Sequence, residues 1–134
     1  SVFLSCREAM RHMLPRGTGN VIIMASLASH DGGGPGASHY GAAKSALLGY
    51  TRALAKEAGP QGVRVNAIAP GLIATRFHDV FNTPQGRAAG VGRTPLGREG
   101  QPEDVAHAAM YLSSPGASFI TGEVIEVNGG MAMV

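Results

Sequence analysis

The sequence predicts an α/β fold in which a parallel sheet of three strands is flanked by helices. Three runs have the length and composition of strands, and they occupy Val21–Ala25, Val63–Ile68 and Glu123–Val127. Stretches with the periodicity of helices lie before and between these runs. Strands that alternate with helices along a chain are typical of parallel sheets, in which right-handed crossovers connect successive strands.

The chain opens on a helical pattern that continues to about Leu14. The apolar residues that recur there at helical spacing are Val2, Cys6, Ala9, Met10 and Met13. No capping residue precedes this stripe, and the first residue is Ser1 rather than methionine. We therefore expect Ser1 to be an internal position of a longer sequence.

The first strand leads into a long helix through a loop. Val21–Ala25 is continuously apolar, as expected of a parallel strand covered on both faces, and it ends at Ser26. A glycine-rich loop follows at Gly32–Gly36. The long helix is predicted to begin with Ser38 as its N-cap and to end at Ala58, where a Gly-Pro pair follows.

The second half of the chain contains two strands and one clear helix. The strand Val63–Ile68 is ended by Pro70-Gly71, and a less regular stretch, suited to a lid, is predicted from Leu72 to Gly100. Pro102 in a first helical turn that also holds two acidic residues opens a helix to about Leu112. The last strand is Glu123–Val127. Ligands of parallel sheets bind beyond the carboxyl ends of such strands.

Composition excludes several classes of function. The chain has 134 residues, enough for one domain, with 44% hydrophobic and 15% charged residues, which argues against disorder. Its net charge is +2, and its arginines are spread singly along the chain rather than clustered, so nucleic-acid binding is not expected. No apolar run has the roughly 20 residues that span a bilayer, so we expect no membrane segment.

The cysteine and histidines indicate neither a disulfide nor a metal site. Cys6 is the only cysteine and lies in a helical pattern, so a buried thiol in a cytoplasmic protein is expected. None of the five histidines pairs with another ligand at metal-binding spacing, and no metal is predicted. His30 and His39 lie near the candidate site, where we expect them to be solvated rather than to touch substrate.

One pair of residues has side chains suited to proton transfer. Tyr40 and Lys44 lie four residues apart near the start of the long helix, so their side chains project from one face. A tyrosine phenol is a poor proton donor or acceptor at neutral pH unless its anion is stabilised, and a neighbouring ammonium stabilises it. Ser26 is placed to donate a hydrogen bond to a carbonyl oxygen as it becomes an alkoxide. This arrangement predicts carbonyl reduction, or alcohol oxidation in reverse.

Further segments carry recognisable motifs in a fixed order. They are Val21–Ser26, Tyr40–Ala46, Val63–Gly71 with Ile73 and Thr75, Pro95–Arg98, Pro102–Ala106, Ile120–Gly122 and Val127–Gly130. This order resembles that of the short-chain dehydrogenase/reductase family over nearly the whole chain. Within the family, the nearest resemblance is to 3-oxoacyl-acyl carrier protein reductases and to related sugar and steroid dehydrogenases.

The resemblance implies a role for each candidate residue. Tyr40 would be the general acid/base, Lys44 would tune it and bind the nicotinamide ribose, and Ser26 would orient and polarise the carbonyl. The implied cofactor is NAD or NADP, which supplies the hydride chemistry. The implied cofactor-binding residues are Tyr40, Lys44, Pro70, Gly71, Ile73 and Thr75. Asn66 is expected to be structural.

The resemblance also implies a partial fold. Residues 1–134 would be a single partial domain, the C-terminal half of a Rossmann-like doubly wound parallel sheet. The N-terminal nucleotide-binding half, with the phosphate loop and a fourth catalytic residue, an asparagine, would lie upstream of Ser1. Gly86–Gly92 has the glycine spacing of a phosphate loop, but no apolar strand precedes it, so we reject it as one. The residue that selects NAD or NADP would lie in the absent half.

Two functional hypotheses follow. The first is an oxidoreductase that interconverts a small-molecule carbonyl and an alcohol, with the N-terminal half lost or supplied by another chain. The second is an inactive oligomerisation module, since the family associates through helices that correspond to Ser1–Leu14 and Ser38–Ala58. Either hypothesis implies a homo-oligomer, a dimer or a tetramer. The identity of the substrate stays open.

Overall fold

The computed structural model describes residues 1–134 and contains six α-helices and a three-stranded sheet. The helices are α1 Val2–Met13, α2 Ala28–Asp31, α3 Ser38–Ala58, α4 Arg76–Phe81, α5 Pro84–Gly92 and α6 Pro102–Ser113. The strands are β1 Gly19–Met24, β2 Val63–Pro70 and β3 Val124–Val127. None of the helices is both long and apolar enough to cross a lipid bilayer.

The sheet is parallel throughout, in the order β1-β2-β3, which confirms the predicted fold class. Ile22 faces Asn66 across the first pair of strands, and Ile68 faces Ile125 across the second. The central strand β2 is almost fully buried, whereas β1 is only partly buried. Ile23 packs in the core on the side of α1 and α3, and Ile22 packs in the core on the side of α6, so the Val21–Ala25 run is covered on both faces, as expected.

Helices cover both faces of the sheet. Alternate residues of β2, such as Val63 and Val65, pack with α1 and α3 in the larger core cluster. Ile68 points to the opposite face, where it packs with Leu112 of α6 and with Ala117. Small residues on α3, including Ala55 and Ala58, are almost fully buried, so this helix lies close to the sheet. The two-sided packing matches the doubly wound arrangement implied by the sequence.

The segment before α6 is more regular than predicted. Residues 72–100 contain α4 and α5, so the expectation of an irregular stretch was wrong. Thr83 caps α5 by accepting a hydrogen bond from the Gly86 N–H at 3.1 Å, and Pro84 occupies the first turn. The glycines of Gly86–Gly92 concealed this helix, and the end of the Leu72 side chain packs directly against Gly90. Because Gly86–Gly92 is helical, it does not form a phosphate loop.

The start of α3 differs by one residue from the prediction. The N-cap is Ala37, and Ser38 is the first helical residue and makes no side-chain capping hydrogen bond. The preceding loop turns at Gly34–Ala37, where the Ala37 N–H donates to the Gly34 carbonyl at 3.0 Å. Gly36 provides a φ of 81° in this turn, so the loop itself sets the entry into the helix.

Strand β1 has one edge without a neighbouring strand. A groove runs along this edge and is lined mostly by apolar residues of α1 and β1, including Val2, Cys6, Ala9 and Val21–Met24. Cys6 itself is buried and unpaired, as expected. Burial raises the pKa of its thiol.

Candidate active site

Ser26 is held at the carboxyl edge of the sheet. Two hydrogen bonds continue the strand pairing beyond β1, from the Ala25 N–H to the Ile68 carbonyl and from the Leu27 N–H to the Pro70 carbonyl, both at 2.8 Å. The half-buried Ser26 Oγ accepts a hydrogen bond from the Ala28 N–H at 3.2 Å. Its hydroxyl hydrogen donates to no protein group, so it is free to donate to a ligand.

Tyr40 and Lys44 reach the same edge from α3. The Lys44 Nζ donates a hydrogen bond to the Met24 carbonyl at 2.7 Å, two residues before Ser26. The same nitrogen lies 5.8 Å from the centre of the Tyr40 ring. Partial burial lowers the pKa of Lys44, because desolvation disfavours the charged form. The fold therefore brings the three predicted catalytic residues to one end of the sheet.

Helix α3 is fixed against the short helix α2, which the sequence did not reveal. The Ser45 hydroxyl donates to the Ser29 carbonyl at 2.8 Å. Gly41, between Tyr40 and Lys44, lies so close to the Gly32 carbonyl that a side chain there would overlap it. These contacts set the position of Tyr40 relative to the end of β1.

Pro70 and Gly71 form the exit from β2. The Pro70 carbonyl accepts from Leu27, as described above, and the Gly71 N–H donates to the Val127 carbonyl at 3.0 Å. A Cβ atom on Gly71 would lie 2.7 Å from the Cβ atom of Asn128. Glycine is therefore required here by the close approach of the β2 and β3 ends.

Ile73 lies next to these residues in a single parallel bridge with Gly100. The hydrogen bonds of this bridge use the Ala74 N–H and the Leu72 carbonyl, each 2.9 Å from its partner on Gly100. The N–H and carbonyl of Ile73 itself are thus paired with no other backbone group. The Ile73 carbonyl accepts only the Thr75 hydroxyl, at 3.4 Å. Thr75 is the N-cap residue of α4, but its side chain does not cap that helix.

His30 was predicted to be solvated, and this expectation was wrong. Its Nε2 lies 2.9 Å from Glu126 Oε1, and both side chains are only 18% exposed. The Asn128 Nδ2 donates to the other Glu126 oxygen at 3.2 Å. This network ties α2 to the end of β3. No spacing in the sequence signals it, because the two partners lie 96 residues apart.

Asn66 has a structural role, as expected. Asn66 is fully buried; its Nδ2 donates to the Ile120 carbonyl at 2.9 Å, and its Oδ1 accepts from the Glu123 N–H at 3.0 Å. These bonds fix the segment that leads into β3. No cluster of three or more His, Cys, Asp and Glu side chains is arranged to hold a metal ion.

Helix α4 places an aromatic ring beside Tyr40. The Phe77 and Tyr40 ring centres are 5.9 Å apart with an interplanar angle of 31°. Arg87 of α5 holds α4 in this position by pairing with Asp79, at 2.5 Å, and with Glu99, at 2.6 Å. The Arg87 guanidinium lowers the pKa of Glu99, chiefly through this hydrogen bond.

Known proteins share this fold and these motifs. The family model described as enoyl-(acyl carrier protein) reductase matches residues 1–132. A 3-oxoacyl-[acyl-carrier-protein] reductase from Rickettsia conorii is 44% identical over 132 residues, covering 98% of this chain and 54% of that protein. The equivalent protein of Vibrio cholerae is 38% identical over 134 residues and is covered to the same 54%. The chain thus spans about half the length of the curated relatives it matches.

Solved structures of related proteins have a similar fold. The crystal structure of 3-oxoacyl-[acyl-carrier protein] reductase from Brucella melitensis superposes with a TM-score of 0.89 at 38% identity, over 98% of this chain and 49% of that one. A protein assigned as a 2-deoxy-D-gluconate 3-dehydrogenase from Agrobacterium tumefaciens, solved with bound NADP, has a TM-score of 0.89 at 38% identity, over 97% of this chain and 53% of that one.

Fold, motif order and family model agree, and the chain belongs to the short-chain dehydrogenase/reductase family. Among its relatives it resembles the 3-oxoacyl-acyl carrier protein reductases, as the sequence indicated.

Proposed function

We propose that this chain carries the chemical half of a nicotinamide-dependent oxidoreductase, which interconverts a carbonyl and a secondary alcohol. The observation that carries the proposal is the hydrogen bond from Lys44 to the Met24 carbonyl, which brings the ammonium beside both Tyr40 and the strand end that leads to Ser26. The family membership supports the same class of reaction.

Each of the three side chains has a distinct task in this proposal. In reduction, the Tyr40 hydroxyl gives its proton to the carbonyl oxygen, and in oxidation the phenolate takes it back. Lys44 favours the phenolate by its charge, and it keeps two of its three N–H donors for the ribose of the cofactor. Ser26 donates its free hydroxyl hydrogen to the same oxygen while negative charge develops there. When bound, the nicotinamide supplies or accepts the hydride.

The residues after β2 fit the nicotinamide end of such a cofactor. A carboxamide needs one hydrogen-bond acceptor and one donor, and the carbonyl and N–H of Ile73 are paired with no other backbone group. The Thr75 hydroxyl bonds only weakly to its own chain, at 3.4 Å. Pro70 and Gly71 shape the approach to these groups. We propose NAD or NADP as the cofactor, and the NADP bound to the Agrobacterium relative supports this class.

The test uses the holoenzyme, in which this chain is joined to or assembled with a nucleotide-binding half. Tyr40→Phe removes the transferable proton but keeps the ring, so kcat should fall by about 100-fold to 10,000-fold. Nucleotide affinity should stay nearly unchanged. The matched control is Tyr50→Phe, because Tyr50 lies on the same helix and contacts Phe3 of α1 instead. Near-normal turnover in Tyr40→Phe would remove Tyr40 from the mechanism.

A second variant tests the double role of Lys44. Lys44→Ala should weaken both nucleotide binding and kcat, since one side chain serves the ribose and the phenol. Lys56→Ala is the control, because Lys56 is exposed near the end of the same helix. A pH profile of kcat that is identical in Lys44→Ala and the parent enzyme would contradict the tuning role.

The free edge of β1 favours a second candidate, an oligomerisation module without catalysis. The groove along this edge is apolar, and Phe3 and Leu4 of α1 are more than half exposed. Unpaired strand edges and apolar patches recruit partners. We propose a homo-oligomer, a dimer or tetramer, in the cytoplasm, where the buried free thiol of Cys6 stays reduced. An oligomer that binds neither NADH nor NADPH in a cofactor titration and turns over no carbonyl would favour this second function.

A further inference from the structure

Helix α2 holds the hydroxyl group of Ser26 in place. The Ala28 N–H donates to the Ser26 Oγ at 3.2 Å, and the Ser29 N–H donates to the Ser26 carbonyl at 2.9 Å. Because one lone pair of the Oγ is occupied in this way, the hydroxyl hydrogen must be directed away from the Ala28 N–H. A shift of α2 therefore changes the direction in which Ser26 can donate.

This helix cannot fix its own position. It comprises only the four residues Ala28–Asp31. The first turn of a helix orders several residues for a single hydrogen bond, so an isolated turn does not persist in water. The position of α2 must therefore come from tertiary contacts. One such contact holds it to α3, where the Ser45 hydroxyl donates to the Ser29 carbonyl at 2.8 Å.

A second contact joins α2 to β3 through His30 and Glu126. The His30 Nε2 lies 2.9 Å from the Glu126 Oε1, and each side chain is only 18% exposed. A carboxylate only accepts hydrogen bonds, so Nε2 is the donor. A hydrogen bond with so little access to water is stronger than one at the surface. The backbone N–H of His30 donates to the Leu27 carbonyl at 2.9 Å, which connects this contact to the residue after Ser26.

The anchor of His30 on β3 is itself held in place. The Asn128 Nδ2 donates to the second oxygen of Glu126 at 3.2 Å. Gly71, one of the residues proposed to contact the nicotinamide, packs against Asn128 and donates to the Val127 carbonyl at 3.0 Å. The same end of β3 thus supports both α2 and the segment proposed to meet the cofactor.

We propose that His30 and Glu126 are positioning residues, which act through α2 to keep the Ser26 hydroxyl aligned with the carbonyl oxygen of the substrate. In this role neither side chain touches the reacting atoms. The proposal rests on the proposed function, because it takes Ser26 as a donor to that oxygen. A displacement of about 1 Å at a site of this kind is enough to lower the rate by about 100-fold. Loss of the contact should therefore lower kcat and leave nucleotide binding intact.

The first experiment measures kcat and KM of the holoenzyme with NADPH and with ethyl acetoacetate as the carbonyl probe. His30→Ala should lower kcat by about 10-fold to 100-fold, with little change in nucleotide affinity. His30→Gln should restore most of the rate, because its amide nitrogen can occupy the place of Nε2, whereas His30→Asn, with a shorter side chain, should not. Thr121→Val is the matched control, since it removes a 3.0 Å hydrogen bond to the Val65 N–H, near the amino end of β2, and should leave kcat unchanged.

A combined variant separates positioning from a general loss of structure. Ser26→Ala alone should lower kcat by about 100-fold to 1,000-fold. If His30 acts through Ser26, then adding His30→Ala to Ser26→Ala should lower kcat no further. A further loss of about tenfold in the combined variant would make His30 a merely structural residue and overturn the proposal. A normal kcat in His30→Ala would also overturn it.

An infrared measurement needs no turnover and separates this proposal from the proposed function. Ethyl acetoacetate labelled at its ketone carbon is bound to Tyr40→Phe holoenzyme with oxidised nucleotide, and isotope-edited spectra give the stretching frequency of the labelled carbonyl. A hydrogen bond from Ser26 lowers this frequency, so adding Ser26→Ala should raise it, and adding His30→Ala instead should raise it by a similar amount. A frequency that only Ser26→Ala raises overturns the positioning role and leaves the proposed function standing. A frequency that Ser26→Ala does not raise overturns both the positioning role and the proposed task of Ser26.

Discussion

A methyl group added to Gly71 would test how tightly the ends of β2 and β3 meet beside the proposed cofactor site. The new Cβ atom would lie 2.7 Å from the Cβ and 2.9 Å from the Cα of Asn128. Neither atom can rotate away, so the two strand ends must separate by several tenths of an ångström. Asn128 also bonds to Glu126, Gly130 and Ala132, so the movement would disturb the whole turn after β3.

The expected cost of Gly71→Ala follows from two opposing effects. Overpacking of this kind destabilises a protein by about 1–3 kcal/mol. Loss of chain freedom in the unfolded state offsets about 0.4–1 kcal/mol of that cost. Gly34→Ala provides the control, because it has the second effect alone: no atom lies within 4 Å of its Cβ position and its φ is not positive. Gly71→Ala should thus be about 1–3 kcal/mol less stable than Gly34→Ala.

Urea titrations followed by circular dichroism would measure this difference. All variants must be compared at one protein concentration, since self-association makes the apparent stability concentration-dependent. A Gly71→Ala protein that unfolds at the same urea concentration as Gly34→Ala, or at a higher one, would refute the close approach described above.

Three further predictions concern stability and assembly. Asn66→Ala should destabilise the fold by about 1–3 kcal/mol in urea titrations, because the fully buried side-chain oxygen that accepts from the Glu123 N–H is lost; an unchanged midpoint would deny Asn66 its structural role. Arg98 holds the pKa of Asp104 at about 2, below its ordinary value of 3.8, so this carboxylate stabilises the fold above pH 3.8 and the contribution is lost as the pH falls towards 2. In Asp104→Asn the loss of stability over that range should be smaller, and an identical acid profile would contradict the pairing. The 134-residue chain alone should self-associate in light scattering through the free edge of β1 and should show no measurable NADH or NADPH binding by fluorescence; a stable monomer that binds either nucleotide at micromolar concentration would refute this.

Sequence reasoning predicted the parts of the fold that depend on local signals. The apolar runs of β1 and β2 and the capped start of α6 are encoded by neighbouring residues, and the structure contains them within a few positions. Sequence reasoning failed at α5, where glycines concealed the helix. Gly90 packs against Leu72, and the periodicity of a single helix does not show such a tertiary contact. Sequence reasoning also misplaced the N-cap of α3, which the turn of the preceding loop decides.

For the candidate site, the sequence by itself determined which side chains have the right chemistry, since the spacing of Tyr40 and Lys44 on one helix fixes their common face. Only the tertiary structure decided what each of them meets. The bond from Lys44 to Met24 spans 20 residues and that from His30 to Glu126 spans 96, while Phe77 reaches Tyr40 from another helix. Such contacts depend on how packed elements approach one another in three dimensions. Residue periodicity describes only the face of a single element, so it cannot contain them.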